Sequence, residues 1–219
     1  MNAVPLLLGH RGARSVTAVA ENTIPAFDFA LQRGCDGFEF DVRLTSDNVA
    51  VVCHDAKADG LRISGATAAQ LGELLRLEDI LARYAKRAFL DIELKVPGLE
   101  RITLGALRDH PPERGCVVSS FLPEILIALR ERKEAIPLGF ICDKRKTLQH
   151  WRELPVECVI PHHSLITPKL VNEVRDANKK IFVWTVNSKA SMLRFASWGV
   201  HGIISDKSEL LVRTLKPVS

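Results

Sequence analysis

The chain has 219 residues, 47% of them hydrophobic, which is enough for one substantial core and sets one domain as the expectation. Its 30 basic and 26 acidic residues leave a net charge of only +4, and no basic stretch interleaves with aromatics, so a nucleic-acid groove is excluded as the first reading. Cys35, Cys53, Cys116, Cys142 and Cys158 form no C-x-x-C pair, which argues for reduced core residues rather than a metal or disulfide framework.

In chain order, an apolar run at 5–9 precedes an amphipathic segment at 22–33, and a second run at 37–42 is followed by an extra short run at 48–53. A helix is expected over 67–87, then strand 88–94, helix 99–109, strand 116–119, helix 122–133 and strand 137–142. Strand 156–160, helix 167–178, strand 180–186, helix 189–198 and strand 202–205 complete the series. Strands alternating with helices argue for a parallel sheet covered by helices, and eight such strands in this length favour a closed TIM (β/α)8 barrel. The run at 48–53 breaks the alternation and reads as a strand returning from the loop after the second barrel strand. Residues 1–8 lack a basic flank, and no later run reaches membrane-spanning length, so a cytoplasmic protein without an integral membrane segment is expected.

Polar residues collect at the carboxyl ends of the apolar runs, where a barrel builds its active site. His10 and Arg11 end the first run, Glu39 and Asp41 lie on the second, His54 ends the extra one, and Glu93 and Lys95 end the third. Glu39 and Asp41 are two apart on a strand and share a face, while Phe38 and Phe40 take the other, which packs under the helices. Three carboxylates in one barrel mouth repel unless a cation sits among them, and an all-oxygen set points to Mg2+ or Ca2+ rather than zinc. The competing reading sends one or both acids outward to cap helices or pair with arginines.

His10 and His54, at one expected rim, suit general base and general acid on opposite sides of a reacting phosphorus. Arg11 and Lys95 are placed either to neutralise phosphoryl oxygens or to bridge to the carboxylates. Asn22 is expected as a helix N-cap, and Glu21 is within reach of the His10–Arg11 loop. His162 and His163 are expected at the surface. Two other functions compete. Lys95 as a Schiff-base lysine is disfavoured, because nearby carboxylates keep it protonated. A non-catalytic protein that binds metal and phosphodiester is the other alternative.

The ordered set Gly9-His10-Arg11-Gly12, Glu21-Asn22-Thr23, Gly37-Phe38-Glu39-Phe40-Asp41-Val42 and Val52-Cys53-His54-Asp55 resembles the glycerophosphodiester phosphodiesterase family. Glu93-Leu94-Lys95, Ser120-Phe121, Val183-Trp184-Thr185-Val186-Asn187 and Gly202-Ile203-Ile204-Ser205-Asp206 extend the likeness over nearly the whole chain. The resemblance implies a TIM barrel that hydrolyses small-molecule glycerophosphodiesters to sn-glycerol 3-phosphate and an alcohol. It implies His10 and His54 as the acid/base pair, Glu39, Asp41 and Glu93 as metal ligands, and Arg11 and Lys95 as phosphate contacts. Phe121 and Trp184 would line the pocket. It also allows a route in which the substrate's own glycerol hydroxyl attacks phosphorus and water opens the resulting cyclic phosphate. Two departures stand out: the stretch 56–66 is compact where the family often carries a longer Gly-rich insertion, and Asp91 stands where Asn is common, adding a potential fourth acid.

Overall fold

The computed structural model describes residues 4–216, so residues 1–3 of the opening segment lie outside the described residues. The strands are β1 (Leu6–His10), β2 (Gly37–Leu44), β3 (Ala50–Val52), β4 (Lys57–Ala58), β5 (Leu61–Arg62), β6 (Phe89–Leu94), β7 (Cys116–Ser120), β8 (Leu138–Cys142), β9 (Cys158–Pro161), β10 (Lys180–Val183) and β11 (Gly202–Ser205). The helices are α1 (Ile24–Gln32), α2 (Leu77–Tyr84), α3 (Glu100–Asp109), α4 (Pro123–Glu131), α5 (Arg145–Leu148), α6 (Pro168–Asp176), α7 (Lys189–Trp198) and α8 (Ser208–Leu215). Several begin as their sequence dictates. Thr23 and Thr167 accept hydrogen bonds from Ala26 and Leu170 in the first turns of α1 and α6, and proline with its preset φ follows near the N-terminus of each.

All strands except β3, β4 and β5 run parallel in one ring, which closes because β1 pairs with both β2 and β11. This is the expected (β/α)8 barrel. β3 returns antiparallel along β2, with Val42 opposite Val52, and stays outside the ring. β4 and β5 form a small separate hairpin.

Alternation along β2 assigns its two faces. Phe38, Phe40 and Val42 belong to the apolar layer between sheet and helices. There Phe38 stacks on Phe27 of α1 at 4.2 Å between ring centroids and meets Tyr84 of α2 edge-on at 5.0 Å. Burying each such ring contributes about 1.5–3 kcal/mol, with roughly 0.5–1.5 kcal/mol more for an aromatic pair. The interior of the barrel is filled separately by Leu8, Val117, Ile141, Ile160, Phe182 and Ile204. It is a packed core, and it forms a solid floor beneath whatever lies at the mouth.

One expected element is corrected. Helix is confined to α2 over Leu77–Tyr84 instead of running across 67–87. Residues 68–73 form turns, and Ile63, Ala66 and Leu71 pack into their own small cluster with Val51. That tertiary contact, with Gly72 at φ +64°, overrides the helical spacing of apolar residues.

Candidate active site

Parallel register brings the acids into a grid. Glu39 lies opposite Asp91, and Asp41 opposite Glu93, on the facing strands β2 and β6, while His10 lies opposite Glu39. All four acids are buried, Asp41 and Asp91 with no exposed surface. Ligand oxygens of Glu39, Asp41 and Glu93 fall within 4.8 Å of one another.

The turn after β1 is built around two glycines. Arg11 and Gly12 have φ of +50° and +82°, and a Cβ on Gly9 would lie only 2.0 Å from the Gly12 carbonyl oxygen. Arg11 adopts a conformation that L residues avoid. It is held there by its N–H donating to Glu39 Oε2 at 3.0 Å and its carbonyl accepting from Asn22 N at 3.1 Å. Its guanidinium donates to Glu21 Oε1 at 2.7 Å and lies 3.2 Å from Asp41 Oδ2. Lys95 Nζ is 2.6 Å from Glu93 Oε1 and 3.2 Å from Asp41 Oδ1. Both basic residues therefore bridge to the carboxylates, as one of the two readings of them required.

The charge balance is uneven. Burial and then repulsion from Asp41, Glu93 and Asp91 push Glu39 well above the ordinary carboxyl range. Burial, with Asp41 adding to it, pushes Glu93 up to about 7 against the pull of Lys95. Asp91 reaches about 7 mainly through burial, although Ser119 Oγ donates to its Oδ1 at 2.6 Å. Asp41 goes the other way: burial raises it, but Lys95, Arg11 and the Asn22 amide together hold it low. Glu39 Oε1, Asp41 Oδ1 and Asp91 Oδ2 are buried without a hydrogen-bond partner; Lys95 reaches Asp41 Oδ1 as an ion pair only. Buried oxygens left in this state are costly, and a hard cation fits the donors that provide them.

Both histidines line the same pocket as the cluster. His10 Nδ1 is 2.6 Å from Asp206 Oδ1 and its Nε2 is 3.7 Å from Glu39 Oε2. His54 Nδ1 is 2.8 Å from Asp55 Oδ1, and the His54 carbonyl accepts from Arg43 Nε and Nη2 at 2.8 and 2.6 Å. A pocket of about 100 Å³ is lined by both histidines, Arg11, Lys95 and the acids Glu39, Asp91 and Glu93. Phe121, Ile141, Ile160, Trp184 and Ile204 complete the lining. Phe121 and Trp184 meet edge-on at 5.5 Å, and the indole N–H of Trp184 donates to the Ile160 carbonyl at 3.0 Å.

The residues read from the sequence as one site thus do come together. His162 packs on Trp184 at 5.3 Å, but neither it nor His163 lines the pocket. Asn22 is not the cap of α1; Thr23 is, and Asn22, at φ +58°, donates through Nδ2 to Asp41 Oδ2 at 2.9 Å. Glu21 does reach Arg11. The sequence reading gave no role to Asp206, Asn187 or Ser119. Asp206 carried the right signal, a polar residue just after the last apolar run, whereas the position of Asn187 in a loop gave none.

The sequence model described as the Glycerophosphoryl diester phosphodiesterase family matches residues 10–103 and 99–210. A glycerophosphodiester phosphodiesterase of Caldanaerobacter subterraneus subsp. tengcongensis is 27% identical over 241 residues, covering 96% of this chain and 98% of that protein. Among solved structures, a glycerophosphodiester phosphodiesterase from Parabacteroides distasonis has a TM-score of 0.86 at 23% identity, covering 99% of this chain and 97% of its own. A phosphodiesterase from Oleispira antarctica, in complex with the product sn-glycerol-3-phosphate, has a TM-score of 0.84 at 21% identity and covers 97% of each chain. The two structures agree in fold, and the sequence match runs through both histidine segments, the acidic grid and the last strand. This chain belongs to the glycerophosphoryl diester phosphodiesterase family.

Proposed function

We propose that the chain hydrolyses small glycerophosphodiesters to sn-glycerol 3-phosphate and an alcohol, with a divalent cation and His10 and His54 as base and acid. The observation that carries this reading is the meeting of two histidines and one carboxylate cluster at a pocket of about 100 Å³. The family names the reaction, and the Oleispira relative holds its product.

Glu39, Asp41 and Glu93 would hold the cation, and their oxygen-only chemistry suits Mg2+ or Ca2+. When bound, it supplies Lewis-acid polarisation of the phosphoryl oxygens and lowers the pKa of the attacking hydroxyl. Arg11 and Lys95, already beside the cluster, neutralise the remaining phosphoryl charge and orient the diester. His10 Nε2 takes the proton of the attacking hydroxyl. His54, on the open side with its side chain 35% exposed, gives a proton to the departing alcohol. Its pKa is lowered by burial, and the nearby Arg11 and Lys95 charges add to that against Asp55 and Asp41, so the protonated ring is a stronger acid than a free imidazolium. The aromatic wall of Phe121 and Trp184 takes the apolar face of the glycerol. Attack by the substrate's own glycerol hydroxyl, giving a cyclic phosphate that water opens, fits a pocket that holds base and acid together. Five free cysteines, and the absence among the described residues of a helix long and apolar enough to cross a membrane, fit a cytoplasmic enzyme.

Release of glycerol 3-phosphate from a panel of glycerophosphodiesters tests the proposal, using metal-stripped protein, added Mg2+ or Ca2+, and His10→Ala as control. Metal-dependent release that the substitution abolishes is expected. Metal binding without release from any headgroup would move the chain to the non-catalytic binding reading.

A further inference from the structure

Asp206, at the end of β11, is held from several directions. Its Oδ1 lies 2.6 Å from His10 Nδ1, and its Oδ2 accepts from Asn187 Nδ2 at 2.6 Å. The Asn187 carbonyl oxygen accepts from Asp206 N at 3.0 Å and from Ser205 Oγ at 3.1 Å, which settles which end of that amide is oxygen. Ser15, in the loop after β1, donates through Oγ to the Asp206 carbonyl at 2.8 Å. Burial raises the Asp206 carboxyl, but hydrogen bonding to His10, and then to Asn187, outweighs it and holds the group below the usual range. It is therefore an ionised acceptor.

We propose that Asp206, clamped by Asn187, is the positioning residue of His10: it fixes the neutral imidazole with its proton on Nδ1, leaving Nε2 bare toward the pocket. The inference rests on the reading of His10 as general base. A carboxylate can only accept, so the ring nitrogen 2.6 Å away must donate. A neutral imidazole has one donor and one acceptor, so Nε2, on the side of Glu39, is the acceptor. The same carboxylate steadies the ring and stabilises the imidazolium formed when Nε2 takes a proton, as the buried aspartate does in serine-protease triads. His54 has no equivalent, because its partner Asp55 is 80% exposed against 15% for Asp206.

Asn187 makes the inference sharp. Its Nδ2 is a fixed donor, so in Asp206→Asn the new amide turns its oxygen to Asn187 and its NH2 to His10 Nδ1. That forces the opposite tautomer, with the proton on Nε2. The test is 15N NMR of histidine-labelled full-length protein in Mg2+ buffer, with the His10 ring identified by its loss in His10→Asn, alongside kinetics of glycerol 3-phosphate release. Wild type is expected to show the Nδ1–H tautomer and Asp206→Asn the Nε2–H form. Asp206→Asn should lower kcat about 10²–10⁴-fold with KM within about threefold and melting temperature unchanged, and Asp206→Glu should recover part of the loss. If Asp206→Asn does not fold, Asn187→Ala, which frees the clamp but keeps the acid, should give a mixed tautomer and a smaller fall in kcat. An Nε2–H tautomer in wild type, or unchanged kcat in Asp206→Asn, overturns the inference. Absence of release by wild type, or full activity of His10→Ala, defeats the functional reading instead, and the wild-type tautomer still decides the role of Asp206.

Discussion

His10 ends a barrel strand, is 7% exposed, and has each ring nitrogen within 3.7 Å of a carboxylate oxygen. His54 follows the short outer strand β3 by two residues and leans on an aspartate that is itself mostly in solvent. One side of the pocket is thus built from paired strands over a packed floor, and the other from a loop pinned by Arg43 to a carbonyl and by Cys53 N to Asp41 O. Groups held by the ring have their geometry fixed before substrate arrives. On the proposed mechanism the alcohol would depart on the loop side.

The comparison breaks most readily in the histidines themselves. His10→Ala should lower kcat/KM about 10³–10⁴-fold for every substrate, whereas His54→Ala should cost about 10²–10³-fold only when the leaving alcohol is a poor one. With a p-nitrophenyl diester, whose leaving group needs no proton, His54→Ala should regain most of its activity and His10→Ala none. Equal recovery of both variants in steady-state assays would remove the division of labour.

Next in size is the acid under His10. Glu39→Gln should weaken Mg2+ or Ca2+ binding by about 100-fold, read by calorimetry, because one buried ligand is lost. The same change should raise the melting temperature of metal-free protein, since it removes a carboxyl that burial, and then Asp41, Glu93 and Asp91, hold well above its ordinary range. Unchanged metal affinity would show that Glu39 is not a ligand.

The ring side also carries a pH signature. Glu93 and Asp91 both titrate near 7 in the folded protein, above the ordinary acid range they regain on unfolding. Between about pH 4 and 7 the native state therefore binds more protons than the unfolded chain, and metal-free stability falls as pH rises through that window. A cation bound by Glu39 and Glu93 would have to displace the protons on these two acids, so metal affinity should climb as pH rises through that window. A melting temperature of the metal-free protein that rises from pH 5 to 7 would contradict the burial assigned to these acids.

The smallest effect is expected on the loop side. Asp55→Ala should change kcat by no more than about threefold, as exposed ion pairs are worth little. A loss in Asp55→Ala as large as that in His54→Ala would mean the open side is as tightly organised as the buried one.

The ring side was also the more legible in sequence. The order Phe38, Glu39, Phe40, Asp41, Val42 states which face is wet and which is packed, because a strand repeats every two residues. The loop side follows weaker rules. Apolar spacing over 67–87 suggested one helix, but Ile63, Ala66 and Leu71 serve β3 instead. Asn22 has the chemistry of a cap, yet its left-handed backbone and its amide are spent on Asp41, and Thr23 takes the helix end. Asp206 could be marked as a rim residue, but its partner lies 196 residues away, and only ring closure brings the two together.

That separation has a consequence for biosynthesis. The acidic grid of β2 and β6, and His10 beside it, leave the ribosome early, while the strand that closes the barrel and orients His10 is made last. Long-range closure of this kind is slow, and until it happens the edges of β1 and β10 that pair with β11 stay unpaired. A nascent chain arrested before β11 would therefore display most of the candidate site and none of its competence, so turnover itself reports that synthesis has passed the last strand.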